Sequence, residues 1–295
     1  MAFRIIKDAA ARHTFRLFTL AVCAMALPLA VSLFLKSLPV LKMQSLGAIL
    51  FSTEWHPMQG EFGMLAYIMG TATVTGLAML IAVPVSLLAA IYLAEYSPAR
   101  FRQMVLPLID LLSGIPSVIY GVWGIVVIVP AARWLSQRFG AWSSGYCLLS
   151  GALVLAVMVC PFIIHVAREV LSTVPFGIRE ASLSLGATKW QTVKLTVLRK
   201  ALPGIVAAVI LGLSRALGET IAVLMVIGNV PAIPKSLFDP AYPLPALLAN
   251  NYGEMMSVPL YDSALLMSGF ILLVTVLIAN LAAKGILRAM QRGQI

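Results

Sequence analysis

The sequence predicts an all-α integral membrane protein with six transmembrane helices and both termini in the cytoplasm. Three observations carry that prediction. The 295-residue chain is 61% hydrophobic and only 11% charged, with mean hydropathy +0.97, whereas soluble domains carry about 25% charged residues. Its apolar residues form six runs close to the roughly 20 residues a helix needs to cross a bilayer. The charges lie between those runs, and unevenly. One side holds 15 Lys and Arg: four before the first run, two in the 95–102 turn, six in 168–200 and three at the end. The opposite loops hold Lys36, Lys42, Arg133, Arg138 and Lys235. The positive-inside rule then places the termini and the long basic loop in the cytoplasm.

Composition also excludes several classes. A net charge of +10 would suit nucleic acid, but no basic stripe is interleaved with aromatics. Cys23, Cys147 and Cys160 form no CxxC pair, so neither a disulfide framework nor a zinc site is expected. His13, His56 and His165 have no ligand spacing.

Taken in order, the expected spans of one transmembrane domain (1–295) are about 17–35, 65–93, 104–130, 147–167, 204–229 and 263–284. The first follows a basic start and is longer than a typical signal-peptide core of roughly 7–15 residues; Pro28 should kink it. Residues 36–61 read as a polar loop with Trp55 as an interface anchor. The second span carries Thr71, Thr73, Thr75 and Gly76, small enough for close helix packing. The third holds Asp110 and the break Ser113-Gly114-Ile115-Pro116-Ser117. Pro116 removes a backbone donor, so the carbonyl it frees needs another partner. Such a break lines a substrate path in some transporters and elsewhere merely shapes packing. The fifth span contains Arg215 and Glu219. Ionisable groups at bilayer depth are costly and usually face a bundle interior or an aqueous path. Four residues apart on a helix, these two share a face and can pair. The pair serves either as a structural pin or as an anion contact, since a paired guanidinium keeps spare N–H donors.

Between the fourth and fifth spans lies a segment of about 168–203, outside the membrane, with a short helix ending at Gly186. Its pattern suits an interfacial helix or a docking helix equally. Glu180-Ala181-Ser182 followed by Gly186 resembles the EAA loop of ABC importer permeases, with Ser182 in place of the second Ala. The family's closing Ile-x-Leu-Pro is Thr196-Val197-Leu198-Arg199 here, and a Leu-Pro follows only at 202–203. The resemblance implies the type I, MetI-like permease fold, with Glu180, Ala181, Ser182 and Gly186 on a coupling helix that docks on an ATP-binding subunit.

A narrower resemblance rests on Leu213-Ser214-Arg215-Ala216-Leu217-Gly218-Glu219-Thr220 and on Ile115-Pro116-Ser117-Val118-Ile119-Tyr120-Gly121-Val122-Trp123-Gly124. Both are similar to motifs of the permeases of bacterial high-affinity phosphate importers. Ile81–Ser86, Glu54-Trp55 and Ala249-Asn250-Asn251 resemble the same family, over roughly residues 50–285. It implies a phosphate pathway through Arg215, Glu219, Ser214, Thr220, Ser113 and Ser117. It implies as partners a second permease subunit, a homodimeric ATP-binding subunit, a periplasmic phosphate-binding protein and membrane lipid. No nucleic acid or cofactor is expected, ATP being bound by the partner. The chain has no Gly-Lys dipeptide, hence no Walker A sequence, and no enzymatic activity of its own is expected. The location implied is the bacterial inner membrane. Two other readings remain from the residues themselves: a permease for sulfate or molybdate, and a self-sufficient channel or secondary transporter with Arg215 and Glu219 as gate or proton relay.

Overall fold

The computed structural model describes residues 2–254 and 258–292; residues 1, 255–257 and 293–295 of the expected domain lie outside it. Among the described residues, six helices are long and apolar enough to cross a membrane: Ala11–Met43, Leu65–Tyr96, Ser117–Arg138, Leu148–Ser172, Lys189–Leu217 and Tyr261–Arg288.

The first comprises α1 (Ala2–Ala24) and α2 (Ala26–Met43). Pro28 cannot donate to the Ala24 carbonyl, and the helix breaks at Met25. Residues 36–61 are not a simple polar loop. Helix α2 continues to Met43, and α3 (Leu46–Phe51) and the hairpin β1 (Trp55–His56) and β2 (Glu61–Phe62) follow. Trp55 is packed edge-on against Phe62, Tyr67 and Tyr261, so it serves an aromatic core.

The second span is α4 (Leu65–Ile91) plus a π-helical turn, Tyr92–Tyr96. It packs most extensively against α8 (Leu148–Ser172). Small residues allow that approach: Ala78 and Ala82 share a core with Ala152 and Ala156, and the Ser86 hydroxyl donates to the Cys160 carbonyl at 3.3 Å.

The third span departs from the expected 104–130. Helix α5 (Ala99–Gly114) is separate, and the membrane-length helix begins beyond Pro116 as α6 (Ser117–Trp123), a π turn (Gly124–Ile128) and α7 (Val129–Arg138). Proline forces the preceding residue out of the α region; Ile115 is extended (φ −65°, ψ 131°) and ends α5.

The segment between the fourth and fifth spans folds as α9 (Phe176–Ser184) and α10 (Lys189–Gln191). A π turn (Thr192–Val197) and α11 (Leu198–Leu217) complete the fifth long helix, and α12 (Ile221–Leu224) follows. The expected 204–229 span is thus discontinuous, broken at Gly218–Thr220. Helix α13 (Leu244–Asn251) leads to α14 (Tyr261–Arg292), which packs on α2.

Candidate functional site

Helix α8 serves as a ruler for depth, running from Leu148 at one end to Ser172 at the other. Gly204 lies against Val170; a Cβ on Gly212 would stand 2.6 Å from Ile163; Gly151 lies against Ile227. The chain from 204 to 227 therefore crosses alongside α8, and its break at 218–220 falls near the middle. Gly121 lies against Met225, and Gly124 lies against Val154 and Val226, which sets α6 beside α12 at the same level. Two broken spans meet with their breaks adjacent. Their backbone groups are released from helical pairing, an arrangement found where irregular backbone lines a cavity.

The break in the third span is stabilised locally. Pro116 leaves the Leu112 carbonyl without its usual donor, and the Tyr120 hydroxyl supplies one at 2.7 Å. Ser113 closes the end of α5 by donating to the Asp110 carbonyl at 2.8 Å. Ser117 is the first residue of α6, in the turn whose N–H groups have no intrahelical partner.

Arg215 occupies the last turn of α11 and is exposed. Its guanidinium lies over the Phe162 ring, 5.6 Å from the centroid, and within electrostatic range of Tyr120. The expected Arg215–Glu219 pair does not form. Gly218 terminates α11, so Glu219 leaves the helix and no longer shares a face with Arg215. Instead, Glu219 Oε1 accepts the Ala222 N–H at 3.2 Å, capping α12. Thr220 lies in the break and donates to the Gly218 carbonyl at 3.3 Å. Ser214 is turned elsewhere: its hydroxyl donates to Asn280 Oδ1 on α14 at 2.7 Å. The structure thus gathers Arg215, Glu219, Thr220, Ser113 and Ser117 around the two breaks and places Ser214 on the α14 side.

At the other end of α8, α9 is tied to two spans. Arg179 donates from Nε to both Glu95 oxygens at 3.2 and 3.3 Å, and from Nη2 to Oε1 at 2.5 Å. The same guanidinium donates to the Leu171 and Val174 carbonyls, satisfying the end of α8. The pair is mostly buried, the Arg179 side chain 15% and the Glu95 side chain 8% exposed. Ser182 and Thr192 share a hydrogen bond at 3.0 Å. Glu95 and Thr192 both lie in π turns, so α9 is joined to the second and fifth spans where their helices are irregular.

Helix α9 ends as the sequence suggests. Gly186 has φ +84°; its N–H donates to Leu183 O at 2.9 Å and that of Ala187 to Ser182 O at 3.3 Å, the Schellman pattern. Glu180 and Ala181 are exposed. Phe176, Leu183 and Leu185 are also exposed, Leu185 at 90%, so this segment carries large apolar side chains that the rest of the chain leaves uncovered.

Several members of the site carried no local signal. Phe162 and Asn280 lie within the apolar fourth and sixth spans and belong to no motif, and Glu95 lies in the short 95–102 turn.

The described residues thus form a bundle with two broken spans meeting near mid-depth and an exposed helix at one end. A family model described as "Binding-protein-dependent transport system inner membrane component" matches residues 82–292, and the chain belongs to that family. It is 38% identical to the phosphate transport system permease protein PstC of Xylella fastidiosa strain 9a5c, covering 98% of this chain and 94% of the relative. It is 34% identical to PstC of Haemophilus influenzae, covering 95% and 93%. Among solved structures it resembles the MetNI methionine ABC transporter (TM-score 0.60, 22% identity, 77% of this chain and 95% of that one), which shows the fold alone. The protein is a multi-pass inner-membrane permease of the type I, MetI-like fold.

Proposed function

We propose that this chain is a transmembrane permease subunit of an ATP-driven phosphate importer, with Arg215 in the anion's path. The observation that carries this is the junction of the two broken spans at mid-bilayer with an exposed guanidinium in it. A phosphate anion entering that region loses water, and its charge needs a counter-charge. Arg supplies a permanent one with a planar fork suited to two oxygens. The first turn of α6, opening at Ser117, adds backbone donors at the positive end of a helix dipole. The names of the relatives supply phosphate as the cargo. The junction chemistry alone would also accept sulfate or molybdate, so uptake is to be measured with those anions as competitors.

The partners in this reading are a second permease, a homodimeric ATP-binding subunit and a periplasmic phosphate-binding protein. The exposed large apolar side chains of the α9 segment, Phe176, Leu183 and Leu185, support the ATPase partner. Closure of the ATPases would move α9, and the bundle would rock between two states whose populations nucleotide biases. The charge asymmetry supports cytoplasmic termini.

Two measurements test this. Cysteine at Ser117, introduced by Ser117→Cys, should react with a water-soluble thiol reagent in at least one nucleotide state of the reconstituted complex. Inertness in every state, with a control site labelled, would reduce the third-span break to a packing kink. At the docking end, no atom lies within 4 Å of a Cβ built on Gly186, so the need for glycine there is conformational. A non-glycine residue in the left-handed region costs about 1–2 kcal/mol, and Asn tolerates it best. Gly186→Leu should insert normally yet hydrolyse ATP with little phosphate uptake, while Gly186→Asn keeps most of it. Normal uptake by a well-expressed Gly186→Leu variant would contradict the docking role.

A further inference from the structure

We propose that His165, held by Asp110, is a second contact for the transported anion, on the cytoplasmic side of Arg215. The inference rests on the phosphate reading above and extends the path beyond the junction. His165 Nδ1 lies 2.9 Å from Asp110 Oδ1, and the two side chains are 55% and 56% exposed. His165 sits in the fourth span, on α8, and Asp110 on α5, which packs against that span. An ionisable pair this open cannot face lipid without a large cost, so it faces an aqueous path or another subunit. Position decides between those two. His165 is three residues from Phe162, hence on the same face of α8 and about 4.5 Å further along its axis. Phe162 is the ring that Arg215 covers. Arg215, Phe162, His165 and Asp110 therefore form one continuous strip on the open face of the bundle.

The chemistry suits a stepping stone. With Nδ1 engaged by the carboxylate, Nε2 is the ring's other hydrogen-bonding atom, and in the imidazolium form it is an N–H donor for a phosphate oxygen. Asp110 competes for the same ring and keeps the anion from being held too firmly. Conduction needs such sites, attractive enough to enter and weak enough to leave. An anion released by Arg215 would meet the next donor about one helical turn on, without crossing an uncharged stretch.

The test uses the complex reconstituted with its partner subunits and radiolabelled inorganic phosphate. Wild type is measured first. Absence of phosphate uptake in every sample would overturn the cargo assignment and this inference with it, whereas a loss confined to the variants isolates the residue. His165→Gln should co-purify with its partners, retain ATP hydrolysis and lower uptake about tenfold, the scale of one charge-assisted hydrogen bond. The double variant Asp110→Leu with His165→Leu keeps the two helices in apolar contact. It should assemble and remain slow. Wild-type uptake by that double variant would show the pair to be only a pin between α5 and α8. As a direct readout, His165→Cys, with Cys23, Cys147 and Cys160 replaced by Ala, should react with an anionic aqueous thiol reagent. Inorganic phosphate should slow that reaction. No labelling, or labelling indifferent to phosphate, would overturn the proposal.

Discussion

Replacing Arg215 by Gln is expected to leave the complex assembled and to cut phosphate uptake about a hundredfold. That factor corresponds to about 3 kcal/mol, the upper end for a hydrogen bond to a charged group. Assembly should survive because Arg215 is exposed and its visible contact within the chain is with the Phe162 ring. A cation–π contact at an open site contributes only about 0.5–1 kcal/mol. Arg215→Lys keeps the counter-charge but loses the planar fork, so its uptake should fall between wild type and Arg215→Gln. Equal loss in both variants would show that the fork, and not the charge, is what transport requires.

Removing Arg179 should have the largest effect at the other end of the molecule. Arg179→Ala leaves Glu95 buried and unpaired, which costs about 3–5 kcal/mol, and strips the Leu171 and Val174 carbonyls of a donor. The bundle would still insert, since its spans are apolar. Helix α9 would lose its fixed position against the π turn at Tyr92–Tyr96, so ATP hydrolysis and phosphate movement should separate. The expected outcome is ATPase activity in the assembled complex with uptake reduced at least about tenfold. A substitution that keeps burial without charge, Glu95→Leu with Arg179→Leu, should restore stability but not the ratio of phosphate moved to ATP consumed. Recovery of that ratio would make the ion pair a structural filler.

The six crossings were legible because a membrane imposes one strong rule, a run of apolar residues long enough to span it. Helix α9 and its glycine end were legible for a local reason: Gly186 sits where the backbone must enter the left-handed region. The discontinuity of the fifth span was not. Leu217-Gly218-Glu219-Thr220 continues a hydrophobic stretch, and periodicity alone extends the helix through it. In the fold Gly218 is the helix cap, and Glu219 serves the first turn of α12. That competition between ending one helix and starting another left no mark on the apolar pattern. Pro116 announced a bend, but not that α5 would stand apart and shift the span towards Arg138. The remaining members come together only in three dimensions. Glu95 and Arg179 are 84 residues apart, Asp110 and His165 are 55 apart, and Ser214 and Asn280 are 66 apart.

The central claim is that Arg215 acts on the anion rather than on its neighbours in the fold. The double variant Arg215→Gln with Glu219→Gln tests it most directly, with subunit co-purification and radiolabelled phosphate uptake measured on the same reconstituted preparations. Arg215 lies over Phe162 while Glu219 caps α12 through the Ala222 N–H, so neutralising Glu219 should do nothing to repair the loss of Arg215. The account predicts a complex that assembles at wild-type levels and stays about a hundredfold slow in uptake. Uptake restored to near wild type by the second substitution would show that Arg215 served only to balance Glu219, and would contradict the account.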